Sequence, residues 1–237
     1  MDLKELQNNI NLENNWYYQS KKLPLLNFFK RKFKNSKTTI IDVGSGAGFF
    51  SKELMNNYRG NIAKIYLVDT GYQPIETSHQ QNNIIEKTTQ LPDTINNSLL
   101  VMMDVLEHLP DDLSLLGDIK LKSKGENYFF ITVPAFTSLW SRHDVFLGHY
   151  RRYTLRSLKN TLVAAGFKVE SIYYIYGSIF PLVWLKRRLL KSKSIKSDMV
   201  QFNPLLDSFL KIVCRFEMNF CRFNKLFGVS CVAEGKI

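Results

Sequence analysis

Short apolar runs alternate with stretches of helical period along most of the chain, the order that a doubly wound α/β domain requires. Runs of strand type cover residues 38–43, 63–68, 83–87, 98–103, 127–133 and 167–175, with helices over 47–57, 73–81, 111–122 and 154–165 between them. Asn96-Asn97 and Lys124-Gly125 mark turns, and Gly166 caps the helix that opens near Thr154. A last run, Val229-Ser230-Cys231-Val232-Ala233, reads as the final strand. Ahead of the first strand, residues 1–37 read as a helical N-terminal extension containing Trp16-Tyr17-Tyr18, followed by a helix or loop from Leu23 to Phe33.

A helical insertion at about 177–228 interrupts the alternation. Its second half sets Leu205, Phe209, Ile212, Phe216, Phe220 and Phe223 at three- and four-residue steps, with Lys211, Arg215 and Arg222 off the stripe. Its first half puts Phe180, Val183 and Trp184 just before a basic cluster. Apolar plus cationic is the composition of a helix lying in a membrane interface; packing against the domain or a partner is the competing expectation.

The chemistry starts where the first strand ends. Thr39-Ile40-Ile41-Asp42-Val43 runs into Gly44-Ser45-Gly46-Ala47-Gly48, three glycines at alternate positions that let backbone approach a flat, polar small molecule. Asp69 follows the second strand, twenty-one residues beyond Gly48, where a carboxylate accepts hydrogen bonds from ribose hydroxyls. The pattern is G-x-G-x-G, neither the G-x-G-x-x-G of dinucleotide folds nor the lysine-containing loop of nucleoside triphosphatases. A nucleoside-containing cofactor across adjacent strand ends is expected.

These residues resemble motif I and the ribose-binding acid of class I S-adenosylmethionine-dependent methyltransferases. Asp104-Val105-Leu106-Glu107-His108-Leu109-Pro110 is similar to motif IV of the small-molecule members. Trp140-Ser141-Arg142-His143-Asp144 and Gly148-His149-Tyr150-Arg151-Arg152-Tyr153-Thr154 resemble a subgroup of the methyltransferase type 11/12 superfamily, as does the early Trp16-Tyr17-Tyr18. The resemblance covers roughly residues 12–176 plus the last strand. It implies a Rossmann-like seven-stranded sheet with helices on both faces, the seventh strand antiparallel between the fifth and sixth, in a methyltransferase domain spanning 38–237.

The resemblance also implies S-adenosyl-L-methionine as cofactor. Asp42, Gly44, Ser45, Gly46 and Gly48 then hold its methionine and ribose portions, Asp69 and Thr70 the ribose, and Asp104, Val105 and Glu107 the methionine end. Thr89, Gln90 and Leu91 stand where the family often keeps an acid near the adenine. His143 and His149, with His108, are the candidate bases, although His108 could equally cap or pack. Trp16, Tyr17, Arg142, Tyr150, Arg151 and Arg152 are candidate acceptor contacts, the two last offering forked donors to a carboxylate or phosphate unless Arg152 simply pairs with Asp144. A sulfonium already supplies the electrophile, so no metal is expected.

Composition narrows the partners. The 237 residues are 45% hydrophobic and 13% aromatic, enough for one good core. The net charge of +11 is concentrated. Lys21, Lys22, Lys30, Arg31, Lys32, Lys34 and Lys37 form one field without an acid among them, and Lys186, Arg187, Arg188, Lys191, Lys193 and Lys196 form another. Such fields favour membrane headgroups, nucleic acid or a phosphorylated substrate. Cys214, Cys221 and Cys231 lack zinc-site spacing, which suggests a reducing compartment. Met1-Asp2-Leu3-Lys4-Glu5 does not read as an apolar leader, so none is expected, and the longest charge-free stretch, 171–185, is too short to cross a bilayer. The expectation is a cytoplasmic enzyme, peripheral to the membrane, methylating a small-molecule or lipid- or glycan-linked acceptor, with a membrane-bound biosynthetic enzyme as a further partner. A nucleic-acid methyltransferase is the less favoured alternative, because no N-P-P-Y or D-P-P-Y motif is present. A non-catalytic methyltransferase-like scaffold at a membrane is the other.

Overall fold

The computed structural model of the chain describes residues 14–73, 84–189 and 203–237. Seven strands form the main sheet: β1 (Thr38–Val43), β2 (Ile62–Val68), β3 (Ile85–Thr88), β4 (Ser98–Met103), β5 (Tyr128–Pro134), β6 (Lys168–Ile175) and β7 (Ser230–Lys236). Their spatial order is β3-β2-β1-β4-β5-β7-β6. The first five run parallel, while β7 lies antiparallel between β5 and β6. This is the seven-stranded methyltransferase-type arrangement that the motifs implied.

Period-two alternation explains the layers. In β4 every residue of Ser98–Met103 is buried, as an interior parallel strand covered on both faces demands. Leu99, Val101 and Met103 join one core, and Leu100 and Met102 the other. The first core is covered by α1 (Trp16–Phe33) and α2 (Phe49–Tyr58), the second by α3 (Asp112–Lys122) and α5 (Leu155–Ala164); the short α4 (Arg142–Leu147) lies between α3 and α5 in the chain.

Three expectations change. The third strand starts at Ile85, and the helix expected over 73–81 lies almost wholly outside the described residues. Residues 16–33 form one helix through Pro24, because Leu25, Phe28 and Phe29 pack fully buried onto the sheet. That packing makes α1 a layer of the core. Finally, much of the N-terminal basic field is consumed within the molecule. Lys21 is buried against Asp104, while Lys22 pairs with Glu53 at 2.9 Å, Arg31 with Glu234 at 2.9 Å and Lys32 with Glu170 at 2.7 Å.

The insertion supplies α6 (Phe180–Leu189) and α7 (Pro204–Met218). Asn203 caps α7 by accepting from the amide of Leu206 at 2.8 Å, and Glu217 accepts from the amide of Gly177 at 2.6 Å, which ties the end of α7 to the end of β6. Cys214 and Met218, with Cys221 beyond, turn inward at four-, then three-residue steps. The apolar stripe read from the sequence is the opposite face and points outward, with Phe209 61%, Ile212 69% and Phe216 68% exposed. The inward row packs α7 on the domain, as one of the two expectations had it, and the outward row stays exposed. All three cysteines are buried and unpaired, and burial pushes the Cys221 thiol up to about 12.

Candidate active site

At the C-terminal edge of the sheet, Gly44, Gly46 and Gly48 have φ of 66°, 51° and 70°, a region that costs glycine little. Space matters as much as torsion. A Cβ on Gly44 would stand 2.7 Å from a methyl of Val105, and one on Gly48 2.9 Å from a methyl of Leu67. Tyr72 steadies the bend by donating its hydroxyl to the carbonyl of Gly46 at 2.6 Å, with the Ser45 hydroxyl 2.8 Å away.

Asp69 follows β2 directly. Its Oδ2 accepts from the amide of Gly46 at 2.8 Å and its Oδ1 from that of Gly71 at 2.9 Å, so the acid is fixed on the glycine bend and stays partly exposed. Asp42 is buried below the bend and accepts from the Ser51 hydroxyl at 2.6 Å. Burial raises its pKa to about 6 in spite of that bond. Thr70, Thr89 and Gln90 are exposed at the same edge, and Leu91 is half-buried.

Beside this bend opens a cavity of about 400 Å³. It brings together Trp16, Tyr17, Asp104, Glu107, His108, His143, His149 and Arg152 of the residues singled out in the sequence. Asp104 ends β4 with φ 57°, a left-handed turn that aspartate tolerates. Its Oδ2 accepts from the Lys21 ammonium, and its Oδ1 from the Thr132 hydroxyl at 2.9 Å. Burial opposes the charge of Asp104, but Lys21 and Thr132 outweigh it and its pKa falls below the usual carboxylate range. Lys21 also donates to the hydroxyl of Tyr17 at 2.7 Å, and Tyr17 stacks on Tyr176 with ring centres 5.3 Å apart.

Asp144 organises the opposite wall. Fully buried, it accepts from Arg152 Nε at 2.7 Å and Nη2 at 3.0 Å, and its Oδ1 lies 3.0 Å from His149 Nδ1. Burial alone would raise its pKa, but the His149 hydrogen bond and the Arg152 charge hold it well below the usual value. As a carboxylate it only accepts, so His149 Nδ1 carries the proton and Nε2 is the nitrogen left for other work.

Of the two readings of Arg152, the structure shows the pairing with Asp144. The fork of Arg152 is spent on Asp144 and on the carbonyl of Ala135 at 3.0 Å, with its side chain 3% exposed. Arg151 donates to the carbonyl of Leu109 at 3.1 Å and pairs with Asp112 at 3.2 Å, away from the cavity lining. Arg142 and Tyr150 are exposed and do not line the cavity either.

Sequence reasoning missed Lys21, Tyr176 and the cavity-lining Lys186 and Arg187. A signal for Lys21 was present: it follows Tyr17 by one helical turn and so shares its face. Nothing local marks the others, which reach the site through tertiary packing.

A family profile described as a methyltransferase domain matches residues 15–172. The chain belongs to the methyltransferase domain family. It is an enzyme of that class, and its methyl donor is S-adenosylmethionine. No curated protein matches it. Among solved structures it is similar to an S-adenosylmethionine-dependent methyltransferase from Archaeoglobus fulgidus, at 17% identity over 92% of this chain and 94% of that one, with a TM-score of 0.52. It is also similar to phosphoethanolamine N-methyltransferase 2 of Haemonchus contortus in complex with S-adenosyl-L-methionine, at 13% identity over 89% of this chain and 51% of that one, with a TM-score of 0.52. A third is the mycolic acid cyclopropane synthase CmaA1, at 11% identity over 89% of this chain and 81% of that one, with a TM-score of 0.51. At such identities the likeness concerns the fold.

Proposed function

We propose that this methyltransferase modifies an acceptor with a long apolar part, taken from the surface of an anionic membrane past the cavity-lining residues of α6 and α7. One observation carries the reading. Leu182 of α6 and Leu206 of α7 line the cavity and are also 68% and 41% exposed, so the cavity wall continues into the outward apolar surface of the insertion. An exposed apolar surface of this extent marks an interaction site. Arg188, stacked 5.5 Å over Trp184, and Arg215 stand beside it, as cations do near anionic headgroups. Among the described residues no helix is long and apolar enough to cross a membrane.

The donor's place follows from the bend. Gly44, Gly46 and Gly48, all at positive φ, hold the bend against Val105 and Leu67 and turn bare backbone toward the strand ends, and Ser45 lies between the first two. Asp69 takes the ribose hydroxyls with the second lone pairs of its oxygens. Thr70, Thr89, Gln90 and Leu91 border the adenine, while Asp104 and Val105 border the methionine end. When bound, the sulfonium supplies a methyl group already activated for in-line transfer. The chain has to align the acceptor and exclude water. Trp16, Tyr17 and Tyr176 form an aromatic wall for alignment, with Trp16 edge-on to Tyr176 at 5.9 Å. His143, on the first turn of α4, takes the proton of a hydroxyl acceptor.

The test is the full-length enzyme incubated with methyl-labelled S-adenosylmethionine and, in parallel, total lipid extract, total RNA and an aqueous metabolite extract. Label entering the organic phase is expected. Label confined to RNA or to water-soluble products overturns the apolar acceptor.

A further inference from the structure

Glu107 is fully buried on the cavity wall, and neither of its carboxylate oxygens meets a hydrogen-bond donor among the described residues. Such a group is costly to keep unless something compensates it. Burial, and after it the charge of Asp104, push its pKa well above the usual value. Two imidazoles stand beside it. The rings of His108 and His149 meet edge to face with centres 4.6 Å apart. One ligand atom from each of Glu107, His108 and His149 lies within 4.8 Å of the other two.

The backbone builds this cluster from two distant parts of the chain. Glu107 and His108 belong to a tight 3-10 turn, Leu106–His108, just beyond β4. His149 follows Gly148, whose φ of 76° ends α4 and turns the chain back. The amide of Tyr150 donates to the carbonyl of Glu107 at 2.7 Å and so holds the two loops together. Asp144, through His149 Nδ1, fixes the imidazole with Nε2 available. A carboxylate behind a ligand histidine is the usual outer arrangement of a metal site.

We propose that Glu107, His108 and His149 form a site for a divalent first-row transition ion, with one carboxylate oxygen and two imidazole nitrogens as ligands and the cavity side open. This donor set suits Zn²⁺, Co²⁺, Mn²⁺ or Fe²⁺ better than Mg²⁺ or Ca²⁺, which prefer oxygen alone. Ligand atoms around a tetrahedral ion with bonds of about 2.1 Å stand roughly 3.4 Å apart, so side-chain rotation is enough to close the cluster. The open position faces the acceptor cavity and takes an oxygen donor, which gives the site a preference for hydroxyl or carboxylate acceptors.

Chelator-treated, full-length protein is dialysed against Zn²⁺ alone and its metal content measured by mass spectrometry; a parallel sample receives Co²⁺ for visible absorption. One ion per chain is expected, with Co²⁺ bands of mixed nitrogen and oxygen coordination. Glu107→Gln and His149→Ala, checked for folding by circular dichroism, each weaken binding at least tenfold, whereas His143→Ala leaves it within a factor of about two. Absence of stoichiometric metal in the folded wild-type protein overturns the site. So does binding that survives in both folded variants, and the Co²⁺ spectrum decides if neither variant folds: bands without imidazole coordination overturn it. Neither readout uses methyl donor or acceptor, so its failure leaves methyl transfer standing.

Discussion

Two basic stretches look alike in the sequence and differ in space. From Lys21 to Lys37 the chain carries only positive charge, yet Lys21, Lys22, Arg31 and Lys32 each reach an acid brought from elsewhere in the fold. From Lys186 to Arg188 only Arg187 turns inward, donating to the carbonyl of Leu139 and standing 4.0 Å from Asp144, while Lys186 and Arg188 sit on α6 among outward-facing Leu182, Trp184, Leu185 and Leu189. The first stretch lies on a helix that covers the sheet and therefore meets acids of α2, β6 and β7 and the one just beyond β4. The second lies on a helix with none of its residues buried. A run of like charge predicts a partner only when the fold supplies no counter-charge.

The comparison breaks most severely at Lys21. Its ammonium is 1% exposed, and replacement by Met leaves Asp104 with Thr132 and a long contact to Tyr17 at 3.4 Å. Lys21 is buried but Asp104 is 29% exposed, so loss of this charged hydrogen bond costs about 1.5–3 kcal/mol, below the cost for a fully buried pair. Chemical denaturation of Lys21→Met should show that loss, and affinity for S-adenosylmethionine should fall with it, since Asp104 is no longer held at the end of β4. Stability within about 0.5 kcal/mol of wild type would mean that this lysine is no different from a surface charge.

The second stretch is tested by removing its apolar companions. Phe209 and Phe216 project outward from α7, so Phe209→Glu with Phe216→Glu should leave stability almost unchanged. Each ring inserted into a membrane interface contributes about 1.5 kcal/mol or more. Together they set the expected drop in partition to anionic vesicles at about 100-fold, read by co-sedimentation. Partition equal to wild type would remove the membrane from the account and leave α7 to a protein partner.

How far the residues themselves foretold this depends on where their information lies. Gly44, Gly46, Gly48 and Asp69 declared a cofactor edge because the turn chemistry is local, and β4 declared itself because an interior parallel strand has to be apolar throughout. The three histidines of the cavity were legible as candidates through the words around them. Their grouping was not, since Glu107 and His149 meet only through the loop pairing at Tyr150. Pairing of Arg152 with Asp144 was legible as one of two readings, because the carboxylate lies only eight residues earlier; the short helix between them, Arg142–Leu147, was not. The outward face of α7 was visible as a stripe, but an apolar stripe usually points inward, and only the second apolar row of Cys214 and Met218 shows which way this one turns.

The smallest effect is expected at Glu234, where the first stretch has a spare counter-charge. Arg31 at 2.9 Å and Arg222 at 2.7 Å share its Oε1, and Glu234 is 1% exposed. Either arginine compensates for loss of the other, so Arg31→Ala and Arg222→Ala should each cost below about 1 kcal/mol, as half-exposed partners do. The double variant should cost more than their sum, because nothing then offsets the buried carboxylate. Its pH dependence has a defined sign. Burial already raises the pKa of Glu234 from 4.5 against the pull of both arginines, and removing them raises it further. The folded form then holds a proton that the unfolded form has released, so the contribution is complete below about pH 4.5 and disappears as pH rises through the folded value. Denaturation at pH 5 and pH 8 should therefore show the double variant losing more ground at pH 8. A pH-independent deficit equal to the sum of the singles would show that the two arginines act separately, as ordinary surface charges.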